Sequence, residues 1–168
     1  MDHSDNALRA AIKALSEVVA PAVDPTDSQA GQQLRLVIDS LDFLRQRLEY
    51  LHDRERFDVR HHLALARAVV EDADADGLRD AISSAERVSR RPEARTVELR
   101  AATAALAAEL RNVVRDVADA DPAVRSRVER RILEGTRERI EADRAWHVSQ
   151  GFDPDPGSAL PIEVALRP

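Results

Sequence analysis

Cysteine is absent from this chain, which removes disulfides, thiol nucleophiles and cysteine-based zinc sites from consideration. Aromatic residues are scarce at 3%, with one Trp, one Tyr and three Phe. A core built without them must rely on Leu, Val, Ile and Ala, the residues of closely packed helices. The five glycines stand apart from one another, so no glycine-rich loop is available to cradle a phosphate. No run approaches the roughly 20 apolar residues needed to cross a bilayer, and no polar helix face is basic enough for a membrane surface. Lysine is reduced to Lys13, and all other members of the 25 basic residues are arginine. Those arginines alternate with Asp and Glu, as in Glu134–Arg137–Glu138–Glu141, and the net charge is −6. Local neutralisation on solvated helix faces therefore explains them better than an anionic ligand, and a nucleic-acid binder is disfavoured. The first residues, Met1-Asp2-His3-Ser4-Asp5, lack the basic and apolar regions of a secretory signal, so the sequence predicts a cytoplasmic protein.

What is present is helical periodicity over nearly the whole chain. With 168 residues and 43% hydrophobic content, one domain with a substantial core is expected. The spacing predicts an all-α, single-domain antiparallel bundle of about six helices over 1–150, followed by an extended, proline-rich arm over 151–168. The first helix runs from Asp5 to Ala20 with Ser4 as its cap, and Pro21 and Pro25 close it. Thr26 and Gln29 have capping-box spacing ahead of a long second helix, Asp27 to Arg54. A third helix carries Val59, Leu63, Ala66 and Val70 inward, and a short fourth presents Leu78, Ile82 and Ala85. Pro92 opens the fifth, with Leu99, Thr103, Leu106, Leu110, Val113 and Val117 as its seam. Asp121-Pro122 starts the sixth, which reaches about Val148. Pro154, Pro156 and Pro161 forbid a continuous helix beyond Gly151, and the apolar Pro161–Leu166 stretch is expected to lie against its own bundle or a partner.

The second helix carries two apolar stripes. Leu34, Val37, Leu41, Leu44, Leu48 and Leu51 alternate three- and four-residue steps, the seam pattern of helix-on-helix packing. Leu36, Phe43 and Tyr50 recur every seven residues, roughly 160° away. A surface helix needs one such stripe. Two imply a helix covered from both sides, either at the centre of the bundle or where two subunits meet; Leu36, Phe43 and Tyr50 are the expected interface of a homo-oligomer, most simply a symmetric dimer.

Two clusters could hold metal. Asp72-Ala73-Asp74-Ala75-Asp76-Gly77 matches the first half of a calcium-binding EF-hand loop, and Asp80 falls at its ninth position. The match fails at Arg79, where an apolar residue belongs, and at Ser83, where the bidentate glutamate belongs; Glu86 comes too late. Glu49 and His52 have the three-residue spacing found in carboxylate-bridged metal bundles, and Asp58, His61 and His62 follow within ten residues, but matching inward glutamates on later helices are not identifiable. A polar inter-helix corner is the competing reading. No serine lies in a glycine-flanked elbow. Trp146 and His147 could line a pocket or anchor the following Phe152 segment. No motif calls for a cofactor.

Leu8, Ile12 and Leu15, followed by Glu17-Val18-Val19-Ala20-Pro21-Ala22, resemble the opening of an uncharacterised bacterial all-helical family. Arg45-Gln46-Arg47-Leu48-Glu49 is similar to the end of that family's second helix. The resemblance spans 8–49; Gly31 and Gln32-Gln33 stand where the family has a glycine and a Phe-His segment. Such proteins are often encoded beside aminoglycoside-phosphotransferase-like kinases and acyl-CoA dehydrogenases. The resemblance implies an accessory role in acyl-CoA or related metabolism, with an enzyme as a possible partner, and carries over no site residue. The expected function is that of a non-catalytic, homo-oligomeric accessory protein; the alternative is a small-molecule or metal-binding bundle using the His/carboxylate corner.

Overall fold

A computed structural model describes residues 3–73 and 75–167. The fold is all-α: among the described residues there are seven α-helices and no strand. No described helix is long and apolar enough to cross a membrane. The chain divides into two compact units, Met1–Tyr50 and Leu51–Pro168.

The first unit is a helical hairpin of α1 (His3–Ala14) and α2 (Ser28–Arg47). Beyond Ala14 the backbone widens into a π turn over Leu15–Val19, where the Ala20 N–H donates to the Leu15 carbonyl, and then tightens into a 3-10 turn, Ala20–Ala22. Pro21 lacks the N–H that a regular helix would need there, which accounts for the early end of the α-helical part. Asp24 captures Thr26 through both its N–H (2.8 Å) and its hydroxyl (2.7 Å), so Thr26 does not cap α2. Asp27 does, accepting from the Ala30 N–H at 2.9 Å. Arg45 reaches across to Asp5 at 3.4 Å, tying the two helices. Lys13 of α1 is 70% exposed and 3.8 Å from Glu17.

The expected long second helix is interrupted. Leu48–Tyr50 forms a 3-10 turn, and α3 (Leu51–Val70) begins after it. Tyr50 therefore sits in a turn, half-buried, rather than one heptad beyond Phe43 on the same helix.

The second unit contains the core. Val59, Leu63, Ala66 and Val69 of α3 meet Leu78 and Ala85 of α4 (Asp76–Ser89). Leu99, Leu106, Leu110 and Val113 of α5 (Thr96–Asp116) complete it from the middle, with Val128 of α6 (Pro122–His147). The seam of α5 is as its spacing predicts, with Val117 buried in the turn that follows and Thr103 half-buried. Asp121 caps α6, accepting from the Ala123 N–H at 2.7 Å. Pro92 does not open α5. The helix starts four residues later, because Glu98 accepts from the Arg95 N–H at 2.9 Å and sets the first turn there. Hydrogen bonds from Arg91 and from the Arg95 backbone hold the Glu98 carboxyl down to about 2.

The C-terminal segment belongs to this second unit and is not extended throughout. Pro156–Ser158 is a 3-10 turn and Ile162–Ala165 a short helix, α7, with Pro161 preceding its first turn, where a missing N–H is harmless. α7 packs on α6, and Leu166 is buried at 4% exposure.

Candidate interaction surface

α2 turns Leu34, Ile38 and Leu41 to half-buried positions, as is Leu48 in the turn after it, while Leu36, Val37 and Leu44 stay 51%, 48% and 43% exposed. Ser40, between them, is also exposed, and its hydroxyl donates back to the Leu36 carbonyl at 2.7 Å. Phe43 is half-buried, with the Arg47 guanidinium 5.2 Å from its ring centre. Arg47 is buried, and loss of water lowers its pKa. Among the described residues of this unit no apolar side chain is buried. Hairpins of about fifty residues bury too little surface to be comfortably stable alone, and this one leaves Leu36, Val37 and Leu44 exposed. Of the seam that spacing identified, Leu34, Leu41 and Leu48 are half-buried and Val37 and Leu44 exposed; on the other stripe Leu36 is exposed and Phe43 half-buried.

The His/carboxylate corner is occupied by arginine. Asp58 accepts from Arg54 Nε at 3.2 Å and forms an ion pair with Arg139 Nη1 at 3.0 Å. Asp143 of α6 closes the ring, accepting from both Arg54 and Arg139. Burial pushes the Asp143 carboxyl up, but these hydrogen bonds outweigh it and leave the group below its ordinary value. His62 bonds through Nδ1 to the Asp58 carbonyl at 2.7 Å. His52 accepts from Arg56 Nε at 3.1 Å and lies 3.5 Å from the Thr96 hydroxyl. His61 is buried, stacked on Phe57 at 5.9 Å and 4.0 Å from Glu138. Glu49 is exposed in the turn after α2. Within the second unit, Asp58 meets guanidinium groups, whose donors suit a carboxylate better than imidazole does. Among the described residues, no group of three or more His, Asp or Glu is placed to hold a metal ion.

The acidic turn is treated the same way. Asp72 accepts from Arg127 Nε at 2.7 Å and Arg131 Nε at 3.3 Å, and the Arg127 bond above all lowers its pKa. Asp76 pairs with Arg79 at 2.8 Å, Asp80 is exposed, and Asp74 lies outside the described residues. Gly77 lies inside α4, where a Cβ would come 2.6 Å from the Glu109 carboxylate; it admits a neighbouring side chain instead of a sharp loop turn.

Phe152 of the segment after Trp146 is 85% exposed. Arg54 lies over the Trp146 ring, 5.5 Å from its centre. Arginines that spacing could not single out hold the C-terminal segment: Arg144 donates to Asp153 (2.9 Å), the Asp155 carbonyl (3.2 Å) and the Ser158 hydroxyl (2.9 Å). Arg56 similarly reaches the carbonyls of Arg91 and Pro92 at 2.7 and 2.6 Å. Only the register of these side chains against distant carbonyls reveals such roles. Comparison with protein-family models, curated proteins and solved structures gives no match.

Proposed function

We propose that this chain is a self-associating accessory protein, without catalytic activity of its own, whose N-terminal hairpin is the assembling part. One observation supports the reading most: a two-helix unit with no buried apolar side chain among its described residues, and with Leu36, Val37 and Leu44 open to water. Burying apolar surface is the main favourable term in folding, and a unit that lacks a core of its own obtains one by association. The polar corner supports the same reading, since its carboxylates are engaged by arginine and leave few groups free for chemistry. The resemblance of 8–49 to a family encoded beside metabolic enzymes fits an accessory role next to such an enzyme.

The test is the mass of the native chain by light scattering at micromolar concentration. A dimer or higher oligomer is expected, and Leu36→Glu should return it to a monomer while unit 2 keeps its helicity by circular dichroism. An unmodified chain that stays monomeric at all accessible concentrations would end this reading.

A further inference from the structure

We infer that the groove between α3 and α6 is a peptide-recognition site, which the chain's own C-terminal turn, Ile162–Leu166, fills in cis. The partner that fits it is another protein presenting one helical turn that ends in a leucine-sized side chain. The inference is independent of self-association, since groove and occupant both belong to the second unit. Four described apolar residues are buried without joining the core cluster: Phe57 of α3, Ala142 and Ala145 of α6, and Leu166. The small side chains of Ala142 and Ala145, one helical turn apart, leave room beside α3. α7 packs on α6, while Arg60, one turn on from Phe57 along α3, donates to the carbonyls of Leu166 and Arg167. Leu166 is thereby held between the two helices.

Two features set this occupant apart from the rest of the fold. The first is what the groove reads. Arg60 meets main-chain carbonyls, which every residue carries, and the Leu166 position alone calls for a buried apolar side chain. A helical turn recognised by one apolar anchor and by the free carbonyls at its end is replaceable by the same turn of another chain. The second is how the segment is tied. Arg144 holds its base, at Asp153, Asp155 and Ser158, whereas Arg60 and the Leu166 side chain hold its tip. Leu160 and Val164 stay exposed, so Leu166 is the one fully buried side chain among the described residues after Gly151. Segments with so little burial open without unfolding the unit they lie on. The tip can therefore leave while the base stays. A short tether keeps it at an effective concentration that is roughly millimolar, so a free peptide competes poorly until the tip is disabled.

The test uses the full chain and a dye-labelled peptide of residues 156–167. Leu166→Asp in the chain expels the tip, because a buried site does not accept an unpaired carboxylate, and it leaves the groove walls intact. Circular dichroism checks that the helices remain; should they be lost, Leu166→Ala takes its place with the same readings. Fluorescence polarisation should show saturable binding of the peptide to the variant and binding at least tenfold weaker to the native chain. A peptide carrying its own Leu166→Asp change should bind neither. Binding of the normal peptide to neither chain, equal binding to both, or binding of the altered peptide overturns the inference. Hydrogen exchange in the native chain is an independent check. The Leu166 amide, bonded to the Ile162 carbonyl at 3.0 Å, should exchange at least tenfold faster than the amide of Leu63 in α3. Equal rates mean that the tip leaves only when the whole unit unfolds, and the inference then falls.

Discussion

Arg60 of α3 fixes the position of Leu166: one guanidinium nitrogen donates to the carbonyls of Leu166 and Arg167, both at 3.0 Å. The buried Leu166 side chain and this clamp act on the same few residues, so the end of the chain docks by one apolar plug and two polar bonds.

Removing the plug should undock the segment. Leu→Ala at a buried site costs about 2–5 kcal/mol, but a terminal segment that detaches loses no more than its docking energy, so about 1–2 kcal/mol is expected for Leu166→Ala. At this chain length that lowers Tm by a few degrees. Truncation before Gly151 should do the same without changing the oligomeric mass. An unchanged melting curve for both would show that the segment contributes nothing.

The Arg54–Asp58–Arg139–Asp143 ring should behave as a unit. The Arg54 side chain is only 11% exposed and that of Asp58 17%. Arg54→Met leaves two carboxylates facing a single arginine and should cost about 3 kcal/mol in denaturant unfolding. Adding Asp58→Asn to it should cost clearly less than the two changes separately, with a coupling of about 1 kcal/mol. Simple additivity would mean that the four groups do not share charge.

His61 should make the second unit acid-sensitive. Burial lowers its pKa from 6.5, helped by His62 and Arg139 and opposed by Glu138 and Asp58. The unfolded chain then takes up the proton first as pH falls. Stability from neutral His61 is fully present above about pH 6.5 and declines below it, until the folded form also protonates. The slope of unfolding free energy against pH between 6.5 and 5 should be shallower in His61→Leu than in the native chain. Equal slopes would assign the acid sensitivity to other groups.

Gly135 lies inside α6, where glycine weakens a helix by about 1 kcal/mol relative to alanine. Its reason is α3: a Cβ there would sit 3.1 Å from Leu65 Cδ1. Gly135→Val should therefore destabilise by about 1–3 kcal/mol through overpacking. Leu65→Ala in the same chain should recover part of that loss; no recovery would place the strain elsewhere.

Much of the architecture is legible in the sequence because burial follows periodicity. Leu99, Leu106, Leu110 and Val113 are spaced as a seam and are buried as one, and Asp121-Pro122 caps a helix as its chemistry dictates. The break at Leu48–Tyr50 left no trace, since no glycine or proline marks it and the apolar steps run straight through. That break removes Tyr50 from the expected stripe and leaves Leu36 and Phe43. The polar corner misled for a different reason. Spacing reports which residues share a face, but not that Arg139 and Asp143, some eighty residues away, would arrive to pair with Asp58 and Arg54. Glu98 shows the same limit at short range: its carboxylate displaced the start of α5 from Pro92.

The exposure of Lys13 has a practical corollary. Every other basic side chain is a guanidinium, so acylating reagents encounter a single side-chain amine, and it lies on the hairpin. Dyes, affinity handles or tethers introduced by such chemistry will decorate that module and leave the remaining side chains untouched.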